Sequence, residues 1–326
     1  MLRLVNYTVR SEESVVSRTG FLTAAGVMDF ARLSEACSEV GSACDCPTCW
    51  QSALGILTCP ECLEAARRYA AWAEAQEAAI LEDLALPLAE VRLLAPVPRP
   101  GKLFCLAQNF PSHAAEANRH ITRAGDSVAD AMTPHVFLKP VPNTVCGDGD
   151  PILIPPTAQF IDYEAEVAIV IGKKGKYIRA EEASEYIAGV TAFNDVSERR
   201  LRLWERKDER EWDKFFDWLN GKWMDNFAPM GPCVVPASDV DLNNLSLRGY
   251  VNDELRQTGN TSEMYHSAAK TVEYISLMLT LEPGDVIALG TPAGVGAARG
   301  TKLVPGDVVR VEVEGVGALT NPVVAE

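Results

Sequence analysis

From Lys102 onward the chain is cut into short β-branched or alternating runs, each bounded by Gly, Pro, Asn or Asp. The runs are LFCLA, HVFLKP, PILIP, YEAEVAIVIG, GVTAFNDV, LSLRGYVN, DVIALG and DVVRVEVEG. Runs of this kind read as strands, and so many of them with few helices argue against regular β/α alternation. The expected class is α+β, mostly β, with a closed or rolled β core. Three helical interruptions are expected: SHAAEANRHITRAG after Pro111, a charged aromatic stretch over 198–219, and a stretch over 267–281.

Upstream, residues 1–35 read as short strands and turns. A cysteine cluster follows, Cys37 to Cys62, and leads into an alanine-rich amphipathic helical stretch over 63–84. APVPRPGK at 95–102 reads as a linker, with three prolines and a glycine. The expected organisation is a small N-terminal α/β region with a Cys-rich insertion over 1–95, then a larger domain over 96–326.

The formal net charge is −15. A field of that sign repels nucleic-acid backbones and anionic lipid, so no nucleic-acid or membrane partner is expected. It also repels an acidic substrate at long range, and a site for one needs a local positive centre such as a metal ion. The first residues, MLRLVNYTVRSEES, hold no signal-like apolar core, and no apolar run approaches the roughly 20 residues of a bilayer span. Cytoplasmic location is the expectation, with the nine cysteines as thiols or metal ligands and not disulfides.

The most informative segment is Asp162-Tyr163-Glu164-Ala165-Glu166 running into Val167–Gly172. Residues i and i+2 share a strand face, so Glu164 and Glu166 point the same way. Two carboxylates on one face of an apolar strand either sit in solvent or need a cation, and a hard divalent ion suits oxygen ligands. Gly189 to Ser197 reads as a strand ending in Asn194-Asp195, so Asp195 is either a third carboxylate or a turn residue. His113 and Glu116 lie three apart in the helix expected after Pro111. They are neighbours on one face, as a general base and its orienting acid would be, or as a plain surface pair.

Further motifs follow in order. They are Gly101–Cys105 with Asn109; Phe137-Leu138-Lys139-Pro140; Phe193–Ser197 with Arg199; Gly221-Lys222 and Phe227–Pro232; Val251–Gln257; Pro283–Ile287 with Gly290–Gly296; and Gly306-Asp307 with Glu312–Gly317. Each is weak alone. In this order, over about 220 residues, they resemble the fumarylacetoacetate hydrolase superfamily. The resemblance implies a mixed β-roll, a homodimer, and Mg²⁺, or Mn²⁺ or Ca²⁺, held by Glu164, Glu166 and Asp195. It implies catalytic roles for His113, Glu116 and Lys222, and substrate contacts for Arg199, Arg202 and Thr291. The implied reaction is hydrolysis of a carbon–carbon bond in a 2,4-dioxo acid, of acylpyruvate or diketo sugar acid type, through a metal-bound enolate. Decarboxylation, isomerisation or tautomerisation, and hydration of 2-oxo acids are alternatives on the same metal site.

Two departures bear on the substrate. Phe110 stands where relatives commonly have tyrosine, and Arg202 where they often have glutamine. Arg202 could grip a second carboxylate or sugar hydroxyls. The aromatic segment 204–219 reads either as a lid over the pocket or as a helix packed on the core or at a dimer interface.

The cysteine cluster falls outside that resemblance. Cys46/Cys49 and Cys59/Cys62 are two C-x₂-C pairs separated by nine residues, with Cys44 nearby. Two such pairs can hold a tetrahedral Zn²⁺, although this spacing is shorter than the usual ribbon. Free thiols and redox pairing are the other readings.

Overall fold

The computed structural model describes residues 1–10, 16–37, 48–118 and 133–326. Among these residues the largest sheet has 11 strands. Its path runs Gly26–Asp29, Arg18–Thr23, Leu4–Val9, Ala228–Pro236, Ile187–Asn194, Ala165–Ile171, Val286–Ala288, Leu103–Ala107 and His135–Leu138. Val91–Leu94 pairs with Leu4–Val9, and Val145–Cys146 with Ala228–Pro236. Most pairs are antiparallel, but Val286–Ala288 runs parallel to Leu103–Ala107. A second sheet orders Glu254–Asn260, Ser246–Val251, Val308–Val313, Gly317–Ala325 and Ile152–Ile154. The class is α+β, mostly β, as the short runs predict.

The central strand Ala165–Ile171 is buried along its whole length, and its alternation sorts it between two cores. Val167, Ile169 and Ile171 pack with Leu247, Val311 and Leu319 of the second sheet. Ala168 and Val170 share the opposite core with Ala53, Ile56, Leu57 and Ala66 of the N-terminal helices. Two covered faces explain why the run is continuously apolar instead of alternating with polar residues. Each buried Val or Ile contributes about 1.5–3 kcal/mol.

Three helical expectations change in detail. The stretch over 63–84 is two helices, Pro60–Glu74 and Ala78–Leu84. The stretch over 198–219 is helical only at Asp213–Asn220. Before that helix, Arg206 and Arg210 reach Asp217 and Asp213, so charge pairing and not an apolar stripe organises the turns. The helix after Pro111 is present as Pro111–Asn118, and the rest of SHAAEANRHITRAG falls partly at residues 119–132, outside those described. Ala268–Met278 is helical, with the Ser267 hydroxyl accepting from the Lys270 N–H at 3.4 Å as its N-cap. Among the described residues no helix is long and apolar enough to cross a membrane.

Candidate active site

The acidic centre forms where two neighbouring strands begin and end. Glu164 lies one residue before the strand Ala165–Ile171, and Asp195 one residue after its partner Ile187–Asn194. The register pairs Ala165 with Asn194 and Glu166 with Phe193. The Asp195 N–H donates to the Glu164 carbonyl at 3.0 Å, and the Asn194 side-chain oxygen accepts from the Glu164 N–H at 3.0 Å. The sheet therefore fixes both ends. Glu164, Glu166 and Asp195 are all buried, with one carboxylate oxygen of each within 4.8 Å of the others. That geometry removes the solvent-face reading of the glutamate pair and the plain-turn reading of Asp195.

Three cations stabilise the cluster. Lys222 Nζ donates to Glu164 Oε2 at 2.8 Å and to Asp195 Oδ2 at 2.6 Å. Lys139 Nζ donates to Asp195 Oδ1 and, at 2.9 Å, to the Val196 carbonyl. Arg199 donates to Glu164 Oε1 and, through Nε at 2.9 Å, to Asp162 Oδ2. Asp162 is held in turn by the N–H groups of Gly296 at 2.6 Å and Ala297 at 3.0 Å. Four carboxylates thus face three cations, leaving one net negative charge if all are ionised.

The two glutamates are polarised in opposite directions. Burial alone would raise the Glu164 carboxyl, but Arg199 and then Lys222 outweigh it and hold it well below the usual range. Burial, then Asp195 and Glu164, push Glu166 well above that range, against the Gly290 N–H and Lys222. Glu166 Oε2 accepts from the Gly290 N–H at 2.8 Å, while its Oε1 has no hydrogen-bond partner. A buried carboxylate oxygen with nothing to bind is costly unless a proton or a cation meets it.

A glycine loop closes the other side. Gly290, at φ +92°, and Gly294, at φ +109°, have conformations that side chains rarely adopt. Gly294 N–H donates to both Glu116 oxygens, at 3.2 and 3.0 Å. Glu116 Oε2 lies 3.5 Å from His113 Nδ1, an electrostatic contact longer than a hydrogen bond. Asn109 ties the start of this helix to the loop, donating to the Leu289 carbonyl at 2.8 Å.

The family model described as fumarylacetoacetate (FAA) hydrolase C-terminal matches residues 102–324. The chain belongs to the fumarylacetoacetate hydrolase family. The human protein named oxaloacetate tautomerase FAHD2A, mitochondrial, is 38% identical over 242 residues, covering 73% of this chain and 71% of that one. A solved structure titled 5-carboxymethyl-2-hydroxymuconate delta-isomerase, from Mycobacterium smegmatis, is 38% identical, with a TM-score of 0.60 over 74% of this chain and 83% of that one. A maleylpyruvate hydrolase structure from Sphingobium sp. SYK-6 is 27% identical, with a TM-score of 0.69 over 99% of this chain and 100% of its own.

Divalent metals are implied for this fumarylacetoacetate hydrolase family member, and its residues fit one. The donor set is three hard oxygens at mutual reach, and Glu166 Oε1 lacks a partner. A divalent ion would turn the net charge of these seven groups from one negative to one positive. A cavity of about 850 Å³ opens onto this centre. Of the residues expected from sequence, His113, Glu116, Glu164, Arg199, Lys222 and Thr291 line it. Glu166 and Asp195 sit behind them, fully buried. Arg202 is exposed and not part of the lining. The Thr291 hydroxyl is engaged by the protein, donating to the Ala165 carbonyl at 2.8 Å and accepting from Gln257 Nε2 at 2.8 Å. Phe215 and Trp218, from the segment expected as lid or packing helix, form part of the wall.

Lys139, Asp162 and Gln257 lie within the sequence motifs, yet their residue types alone give no sign of the contacts they make here. For Lys139 a signal was available: a lysine closing an apolar strand run must be neutralised somewhere.

Proposed function

We propose that the chain is a divalent-metal-dependent hydrolase cleaving the carbon–carbon bond of a 2,4-dioxo acid whose distal end is apolar. The observation that carries this reading is that His113 and Glu116 line the same cavity as Glu164, Arg199 and Lys222. That arrangement sets a proton acceptor across from a charged floor.

When bound, the cation would supply Lewis acidity toward the carboxylate and 2-oxo oxygens of such a substrate. The chain's own residues would do the rest. Glu116, pinned by the Gly294 N–H, orients the His113 ring through its Nδ1 side, leaving Nε2 to take a proton from water. Water adds to the distal carbonyl carbon. The bond from that carbon to C3 breaks with its electron pair going to C3, and C3 takes up a proton. The products are a carboxylic acid and a pyruvate-type acid. Lys222 has three N–H donors and spends two on Glu164 and Asp195, so the third can face a substrate oxygen. Arg199, locked by Asp162, holds Glu164 in its charged form. The distal walls are Leu106, Val136, Phe215, Trp218, Tyr274 and Met278, which suit an apolar or aromatic acyl group.

A second reading is a tautomerase or isomerase of the same acids. It is favoured by the names of the relatives that are 38% identical. The same base could move a proton between C3 and an oxygen with no bond broken between carbons. Both readings are tested with aliphatic and aromatic acylpyruvates plus Mg²⁺, following the enol absorbance and, separately, pyruvate. Loss of absorbance with equimolar pyruvate supports hydrolysis. Loss without pyruvate supports tautomerisation. No change with any acid, at any Mg²⁺ level, would sink both.

A further inference from the structure

A second cluster of donor atoms lies far from the catalytic chemistry in character. The Sγ atoms of Cys49, Cys59 and Cys62 all lie within 4.8 Å of one another. In a tetrahedral zinc–thiolate site with bonds of about 2.3 Å, sulfurs stand about 3.8 Å apart. We propose that these three thiols supply three of the four ligands of a structural Zn²⁺ that clamps the turn at Cys49 to the helices that follow it.

The local structure is built to converge them. Cys49 opens the short 3₁₀ turn Cys49–Gln51. The Ser52 hydroxyl caps the following helix, Ala53–Thr58, by accepting from the Gly55 N–H at 3.0 Å. A side chain at Gly55 would run into the Cys49 carbonyl oxygen, so glycine lets this helix fold back against the turn. The helix ends at Cys59, which is also the N-cap of the 15-residue helix Pro60–Glu74, and Cys62 sits in its first turn. Both sulfurs therefore stand at a helix N-terminus, where the macrodipole favours the thiolate form that zinc requires.

Cys62 is fully buried, and Trp50, Phe30 and Tyr69 pack edge-on or tilted against one another with ring centroids 5.1 to 6.3 Å apart. A helix of six residues has little stability alone, and a metal joining Cys49, in the turn before it, to Cys59, its C-cap, supplies a cross-link. Leu54 and Leu57 of that helix sit where side chains at Gly284 and Gly189 would come within 2.9 and 3.1 Å of them. The helix that the metal would fix thus packs against the strand Ile187–Asn194 at Gly189 and against the turn before Val286–Ala288. Soft sulfur donors select zinc over the magnesium-type ions suited to the oxygen-lined centre. Cys46, at C-x₂-C spacing from Cys49, lies outside the described residues, and the inference rests on the other three.

The test uses the full chain. Purified protein, dialysed against a weak chelator, should retain about one zinc per chain by plasma mass spectrometry. Cobalt-substituted protein should show thiolate-to-cobalt charge-transfer absorbance in the near ultraviolet. C59S and C62S should lose that band and at least about tenfold of the zinc, while E166Q, altered at the oxygen centre, should keep both. In case the serine variants do not fold, wild-type protein is titrated with a mercurial. Zinc should then pass to a chromogenic chelator in step with thiol modification. Zinc-free protein, iron in place of zinc, a cobalt band that survives C59S and C62S, or zinc lost in E166Q would each overturn the inference. None of these readouts depends on turnover, so its failure is separate from that of the proposed reaction.

Discussion

The molecule holds two clusters of potential metal donors, and they are assembled in opposite ways. The oxygen-lined centre draws Glu164, Glu166 and Asp195 from adjacent strands, Lys139 and Lys222 from distant segments, and a backbone N–H 124 residues from the group it serves. The sulfur cluster draws its three residues from 14 consecutive positions, Cys49 to Cys62. The first exists only once the whole sheet is formed, and its charges balance only as a set. The second can form within one supersecondary unit. The acidic centre depends on the whole sheet, while the sulfur cluster is local.

The sharpest way to break that contrast is to touch the oxygen centre without changing its shape. Glu166→Gln keeps the volume and the Gly290 bond but removes the charge. Turnover should fall roughly 10³-fold, since about 4 kcal/mol of charge stabilisation is withdrawn. Steady-state rates measured beside a thermal melt would show it. A variant within tenfold of wild type would mean the carboxylate is not needed. His113→Asn comes next, with an expected loss of about 10²–10³ in kcat and little change in KM. If KM alone rose, the imidazole would be a binding group and the proton acceptor would have to be sought elsewhere.

Acidity gives a third test. In the metal-free protein burial, Asp195 and Glu164 push Glu166 up, so it keeps its proton at pH values where the unfolded chain has lost it. The folded state then binds more protons than the unfolded one, and this group lowers stability as pH rises through that interval. Glu164 has the opposite sign. Its depressed carboxyl contributes stability above its unfolded value that is lost as pH falls toward the folded one. A divalent ion must expel the Glu166 proton, so Mg²⁺ affinity should rise about tenfold per pH unit until Glu166 ionises unaided. Calorimetric titration in buffers of different ionisation enthalpy counts the released proton. A flat affinity profile with no proton release would contradict the assigned polarity.

The same contrast explains what could be read from sequence. Glu164 and Glu166 were legible because a period of two is a local property, and His113 with Glu116 because three residues make a helical step. The eight short runs are all strands, legible from β-branched residues between turn formers, which is also local. Ala228–Pro236 was not legible. It is a central strand, buried throughout, yet holds three prolines that argue against such a place. Its pairing with Ile187–Asn194 shifts register between Val190 and Ala192, and that irregularity accommodates a chain poor in N–H donors. The Gly290 and Gly294 N–H contacts were also hidden, because backbone donors leave no mark in the residue types they serve. Nor did composition show that residues 199–212 would be organised by arginine–aspartate pairs instead of a helix.

A smaller effect probes the cavity wall that neither cluster owns. Trp218 lines the cavity and packs against Phe137 with centroids 5.1 Å apart. Trp218→Ala should raise KM for acids with an aromatic tail by about tenfold, the equivalent of roughly 1.5 kcal/mol of lost apolar contact. A short aliphatic substrate should be affected less. Equal changes for both would show that the wall is structural and does not read the tail.

The smallest expected effect on turnover is the most direct test of separateness. Leu57 is 8% exposed and belongs to the core shared by the N-terminal helices and the sheet face carrying Ala168 and Val170. It meets the sheet beside Gly189, one strand away from Glu166. Leu57→Ala removes apolar contact and leaves a void, at a cost of about 2–3 kcal/mol in stability. The carboxylates are fixed by strand register and by Lys139, Lys222 and Arg199, whose hydrogen bonds go to Asp162, Glu164, Asp195 and the Val196 carbonyl. Turnover per folded molecule should therefore stay within about twofold, below the 1.4 kcal/mol that a tenfold change requires. Denaturant melts and kcat measured on the same preparation separate the two quantities. If kcat fell with stability, the layer behind the sheet would be tuning the position of Glu166, and the clamp and the catalytic centre would be one device.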